Sequence, residues 1–117
     1  MPVVYAFEVD ETLEISGGPI RLETMMDLRG AGHIIGLCGN WAVFTRSYPG
    51  WQHLVSFMNV GTNKEVLLGH LKEHVPADDY VMVGNILGVS GASDDQGAAQ
   101  RSGWRFIKES DFAAGAR

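Results

Sequence analysis

The stretch VVYAFEVDETLE, residues 3 to 14, decides the fold. Val3 to Val9 is apolar except at Glu8. That is the composition of a central strand covered on both faces, because a parallel sheet between helices buries side chains on either side. The run then breaks into Asp10, Glu11 and Thr12. In an open parallel sheet, ligands gather beyond the carboxyl ends of the strands. The acids that close this strand are therefore the first candidates for a site.

Outward from that strand, Gly17, Gly18 and Pro19 punctuate the chain, and proline suits the first turn of a helix. The helix that follows is predicted to bury Leu22, Met25 and Met26 and to stop near Gly30 and Gly32. His33 to Cys38 (HIIGLC) reads as the second strand, Leu54 to Met58 as the third, Tyr80 to Val83 as the fourth and Trp104 to Ile107 as the fifth. Trp41 to Ser47 predicts a short helix, with a turn at Pro49-Gly50. Thr62 followed by Glu65 forms a capping box, so a helix is expected there, burying Leu68, Leu71 and Val75 before Pro76 ends it. The glycine-rich GNILGVSGAS leads into Ser93 to Gln96, a second capping box, with Gly103 as terminator. Alternating strands and helices predict an α/β fold, a Rossmann-like three-layer sandwich around a mainly parallel five-stranded sheet. The length predicts a single domain over residues 1–117.

The composition is ordinary for a globular chain, with 45% apolar and 20% charged residues. A net charge of −5 and scattered lysines and arginines argue against nucleic acid, whose binding needs clustered cations. No apolar run approaches the roughly 20 residues that cross a bilayer, so no membrane partner is expected. MPVVYAFEVD lacks the basic flank and cleavage site of a signal peptide. Cys38 stands alone, so no intramolecular disulfide forms. The cytoplasm is the expected location.

Polar residues at the predicted strand ends form one constellation. Glu8, Asp10 and Thr12 follow the first strand; Cys38, Gly39 and Asn40 close the second. Lys64 lies in the first turn of its helix, and Asn85, Asp94 and Asp95 follow the fourth strand. Carboxylates facing a lysine suit a hard cation meeting an anionic phosphate.

These residues resemble the motifs of the haloacid dehalogenase superfamily of phosphohydrolases. FEVDETLE is similar to that family's first motif, a strand ending in DxDxT. HIIGLCGN resembles the second, Lys64 the third, and YVMVGN with SDDQGAAQRSGWRFI the fourth. The resemblance implies a Mg²⁺-dependent phosphomonoesterase with a phosphorylated substrate. Glu8 would stand at the nucleophile, and Asp10 would act as general acid and base. Thr12, Cys38 and Lys64 would lie among the catalytic residues, with Gly39, Asn40 and again Lys64 at the phosphate. Glu8, Asp10, Asn85, Asp94 and Asp95 would supply the metal ligands. The connections between motifs are too short for a cap domain. Where the family carries aspartate and a hydroxyl residue, this chain has Glu8 and Cys38, which implies impaired or altered catalysis. One methylene moves a carboxylate by roughly 1 Å, a misplacement that costs about a hundredfold. The alternative is a non-catalytic protein of the same fold that binds a partner or an anion.

Two further patterns carry weaker expectations. His70 to His74 (HLKEH) matches a zinc-ligand spacing but reads better as exposed helix surface. Trp41 and Trp51, if exposed together, would mark a homodimer interface or a partner surface.

Overall fold

The computed structural model describes residues 2–59, 63–91 and 94–117. Five strands form one sheet: β1 (Val3–Phe7), β2 (Ile34–Leu37), β3 (Phe57–Met58), β4 (Asp79–Gly84) and β5 (Arg105–Lys108). Their order is β3-β2-β1-β4-β5, and every pairing is parallel, where a mainly parallel sheet was expected. The helices are α1 (Leu22–Gly30), α2 (Trp41–Ser47), α3 (Lys64–His74), α4 (Asp95–Arg101) and α5 (Glu109–Ala113).

Strand alternation builds the two faces. Tyr5 and Phe7 of β1, Ile35 and Leu37 of β2, and Val81 and Val83 of β4 point into one cluster, joined by Met25 of α1, Phe44 of α2 and Phe112 of α5. Val4 and Ala6 of β1 and Met82 of β4 point the other way, against Leu68 of α3, Ala98 and Ala99 of α4, and Trp104. The result is the three-layer α/β sandwich predicted from the alternating elements. β1 is apolar throughout because both its faces are covered.

The order also fixes where a ligand would lie. From β1 the chain moves to β2 and β3 on one side, then returns to place β4 on β1's other edge. The connections after β1 and β4 diverge at that point, the topological switch where open sheets hold their ligands.

Several element boundaries differ from the sequence reading. β1 ends at Phe7 rather than Val9, although the Glu8 amide still donates to the Val83 carbonyl at 2.9 Å. β3 has only two residues, because Trp51–His53 winds into a 3-10 turn and Leu54 and Val55 close it with amide bonds to the Trp51 carbonyl. Met26 is 40% exposed rather than buried with Met25: neighbours along a helix point about 100° apart, and Met25 takes the inward position. Val75 falls at the C-cap of α3, which ends at His74 ahead of Pro76. α5 was not anticipated; its anchor is Phe112, stacked edge-to-face on Phe7 at 5.3 Å.

Thr62 and Ser93, the leading residues of the two expected capping boxes, lie outside the described residues. α3 begins at Lys64 with Asn63 at the N-cap and no side-chain cap. α4 is capped by Asp94, whose carboxylate accepts from the Gly97 amide at 3.1 Å.

Candidate functional site

Glu8 continues the alternation of Val4 and Ala6, so its side chain leaves β1 toward the face carrying α3 and α4. Two groups meet it or its partner there. Lys64, the first residue of α3, donates to Glu8 Oε2, and its Nζ also lies 2.6 Å from Asp95 Oδ1 on α4. The second oxygen of each acid is held by backbone. Val9 N donates to Glu8 Oε1 at 2.8 Å, and Asn85 N donates to Asp95 Oδ2 at 2.8 Å. One ammonium thus ties the end of β1 to the elements after β3 and β4. Glu8 and Asp95 are buried, and the Lys64 side chain keeps 18% of its surface.

Two glycines make room for this cluster. A Cβ on Gly39 would overlap Glu8 Oε1, and one on Gly84 would overlap the Asp95 carboxylate. Gly39 stands just past β2, and Gly84 is the last residue of β4. Absence of a side chain at both strand ends lets the two acids approach the switch point.

A second set of bonds ties the turn after β1 to β4. Asn85 Nδ2 donates to the Asp10 carbonyl at 3.1 Å, while the Thr12 hydroxyl lies 3.1 Å from Asn85 Oδ1 and 3.2 Å from that same carbonyl. Glu11 between them adopts φ 57°, the left-handed region uncommon for a residue with a side chain, which turns the chain back sharply. Thr12 and Asn85 are buried, and Asp10 is exposed.

The electrostatics follow from burial. Burial alone would lower the Lys64 pKa, but the charges and hydrogen bonds of Glu8 and Asp95 outweigh it and raise the pKa. Burial pushes the Asp95 carboxyl up to about 6, against the opposing pull of Lys64 and with Glu8 adding to the rise. The folded state therefore binds the Asp95 proton more tightly than the unfolded chain does. Its contribution to stability is fully present below the ordinary carboxylate range and is lost as pH rises through about 6. Relative to an Asp95→Asn variant, the wild type should lose stability between about pH 4 and about pH 6. Urea unfolding of both proteins across that range checks the sign, and a parallel pair of curves would contradict it.

Cys38 lies under the same cluster, fully buried, with its amide bonded to the Phe7 carbonyl at 2.8 Å. Burial pushes its thiol up to about 12; Lys64 opposes this, and Glu8 and Asp95 reinforce it. Because the thiolate is the reactive form, Cys38 should resist iodoacetamide at pH 8 in the folded protein and react once urea unfolds it. Mass spectrometry of labelled protein reads the difference.

The expected site residues thus divide. Glu8, Lys64 and Asp95 form one cluster, with Cys38 and Gly39 packed beside Glu8; Asp10, Thr12 and Asn85 form the adjoining one. Asn40 and Asp94 are exposed. Asp94 serves as helix cap and lies 3.5 Å from Arg101, so it is engaged outside the Lys64 cluster. His70 and His74 are both exposed on α3, their rings 6.4 Å apart. Trp41 is 37% exposed, whereas Trp51 packs half-buried against the core, so the two do not form a jointly exposed pair.

Residues that the sequence reading did not select also shape the site. Gly84 accommodates Asp95, and Val9 supplies an amide to Glu8. The loop after β4 is held by Ser90, whose hydroxyl accepts from the Ile86 amide at 3.0 Å and donates to Glu109 Oε2 at 3.2 Å. Glu109 is a buried acid at the start of α5. An acid next to a strand terminus, followed by Phe112 three residues on, is the signal that marks it as inward-facing.

A magnesium site would draw on the Glu8 and Asp95 carboxylates and the Asp10 carbonyl. As arranged, these oxygens do not fit a divalent ion. Both carboxylates face the Lys64 ammonium and backbone amides, and the Asp10 carbonyl faces an amide and a hydroxyl. Among the described residues, no group of three or more histidine, cysteine, aspartate or glutamate side chains is placed to hold a metal. Nor is any helix among them long and apolar enough to cross a membrane.

Fold and site together define a doubly wound parallel α/β domain with a lysine-bridged acid pair at its switch point. Comparison of the chain with known protein families, curated proteins and solved structures gives no match.

Proposed function

We propose that this chain is a capless, haloacid dehalogenase-like domain that works by binding rather than by turnover. The positions that carry phosphomonoester hydrolysis in that family would serve here as a buried structural cluster. The observation that carries this reading is the state of Glu8. It is 2% exposed, and both its oxygens are engaged, one by Val9 N and the other by Lys64. A nucleophilic carboxylate must present a free oxygen to the reacting phosphorus within roughly 3–3.5 Å, and this one is turned inward. The carboxyl edge of the sheet carries exposed apolar side chains instead: Trp41 after β2, and Leu87 and Val89 after β4. Side chains of that kind suit contact with another molecule.

A second reading, a Mg²⁺-dependent phosphohydrolase with attenuated activity, is favoured by one observation. Lys64 joins an acid from the end of β1 to one at the start of α4 at the switch point, and the family resemblance takes Lys64 as its third motif. A phosphomonoester panel with and without Mg²⁺ separates the two. Under the binding reading, wild type and Glu8→Ala give the same background, and Glu8→Asp adds nothing. Turnover that Glu8→Ala abolishes, or that Glu8→Asp restores by withdrawing one methylene, would establish the hydrolase instead.

A further inference from the structure

We infer that the cation position between the ends of β1 and β4 is filled by the chain's own Lys64 ammonium, and that the folded protein takes up no divalent ion there. The inference deepens the proposed function and rests on the same site, but it concerns cation occupancy rather than turnover.

Three features carry it. First, the Lys64 ammonium bonds a carboxylate oxygen of Glu8 and one of Asp95, the bridging place that a metal ion shared by two acids would take. Two carboxylates around one ammonium leave a formal charge of −1, a weak attraction for an ion that must shed tightly held water. Second, the position after β4 holds an amide, Asn85, which turns its NH₂ toward the Asp10 carbonyl and its oxygen toward the Thr12 hydroxyl. An ion seeking that carbonyl would have to displace the Asn85 NH₂ and leave it, in a buried residue, without that acceptor. Third, the neighbouring acid at the start of α4, Asp94, is committed to the Gly97 amide and lies against Arg101. The mouth of the site thus offers no third carboxylate from that helix.

The test uses Mn²⁺ as the probe, followed by water-proton relaxation and by thermal unfolding in EDTA against Mn²⁺. Wild type should show the same melting temperature in both and no Mn²⁺ uptake that Glu8→Gln removes. Lys64→Arg, which keeps a cation in place, should behave the same way. Lys64→Met should melt lower in EDTA and recover in Mn²⁺, by about 10 °C at a hundredfold excess over its Kd. Adding Glu8→Gln to Lys64→Met should abolish that recovery. Saturable Mn²⁺ uptake by wild type that Glu8→Gln removes would overturn the inference, as would a Lys64→Met protein that gains nothing from Mn²⁺. If Lys64→Met does not fold in EDTA, refolding in Mn²⁺ decides: success supports the inference and failure in both overturns it. Phosphomonoester turnover without Mn²⁺ uptake would sink the proposed function and leave this inference standing, whereas uptake without turnover would do the reverse.

Discussion

Replacing Lys64 with methionine is expected to destabilise the metal-free protein by about 3–5 kcal/mol, because it leaves two buried carboxylates facing each other without their cation. Glu8 and Asp95 side chains are 3% and 0% exposed, so solvent cannot take over the role of Lys64. The loss should come chiefly from the stranded charges, not from the missing pair. A triple variant, Lys64→Met with Glu8→Gln and Asp95→Asn, tests that origin. It leaves no charge in the Glu8–Lys64–Asp95 cluster and should be more stable than Lys64→Met alone, since a neutral replacement of a whole buried ion cluster is often close to neutral. Urea unfolding of the three proteins at pH 7 gives the comparison. A triple variant less stable than the single one would mean that the cluster holds the fold by its bonds rather than by balancing its charges.

Trp104→Ala should cost a comparable amount, about 3–5 kcal/mol, the usual range for removing a large aromatic from a core. Trp104 is 4% exposed and packs against Tyr80 with ring centroids 5.5 Å apart. Its indole N–H also donates to the Leu68 carbonyl at 2.8 Å. Leu68 lies one turn beyond Lys64 on α3, so this bond helps fix the helix that delivers the ammonium to Glu8. Trp104→Phe keeps most of the packing and should lose only about 1 kcal/mol for the missing hydrogen bond. If Trp104→Phe proves as damaging as Trp104→Ala, the hydrogen bond rather than the ring anchors α3. Hydrogen exchange of the α3 amides reads the two variants directly.

Much of the fold is legible in the sequence because covered strands have a plain signature. Val3 to Phe7 and Tyr80 to Val83 are apolar at nearly every position, and each has layers on both sides. Leu54 to Met58 misleads at its start for the same reason: Leu54 and Val55 are buried, but at the exit of a 3-10 turn, and only Phe57 and Met58 are in the strand. Burial leaves a mark on composition; the conformation that achieves it does not. The site shows a similar split. Glu8 stands out as an acid in an apolar run, and Lys64 by its place in a first helical turn. The choice between Asp94 and Asp95 was readable only from helical phase. Asp95 shares its face with Ala98 and Ala99, which are buried, and Asp94 shares its own with Gly97 and exposed Arg101. The amide clamp of Asn85 on Asp10 and Thr12 left no mark in spacing, because it joins segments far apart in the chain.

The strand order has a consequence for how the molecule comes into being. β1 is made first and sits in the middle of the sheet, yet one of its two neighbours, β4, comes from the far half of the chain, with Val3 registered against Asp79. A ribosome releases β1 long before that neighbour exists, so until then only β2 can shield one edge of it. Non-local parallel pairing of this kind slows folding and leaves an apolar edge open to other chains in the interval. Glu8, the acid that follows β1, keeps its contact with water until α3 and α4 arrive. The side chain that ties the finished sheet together would thus also keep its earliest strand soluble while the rest is still being synthesised.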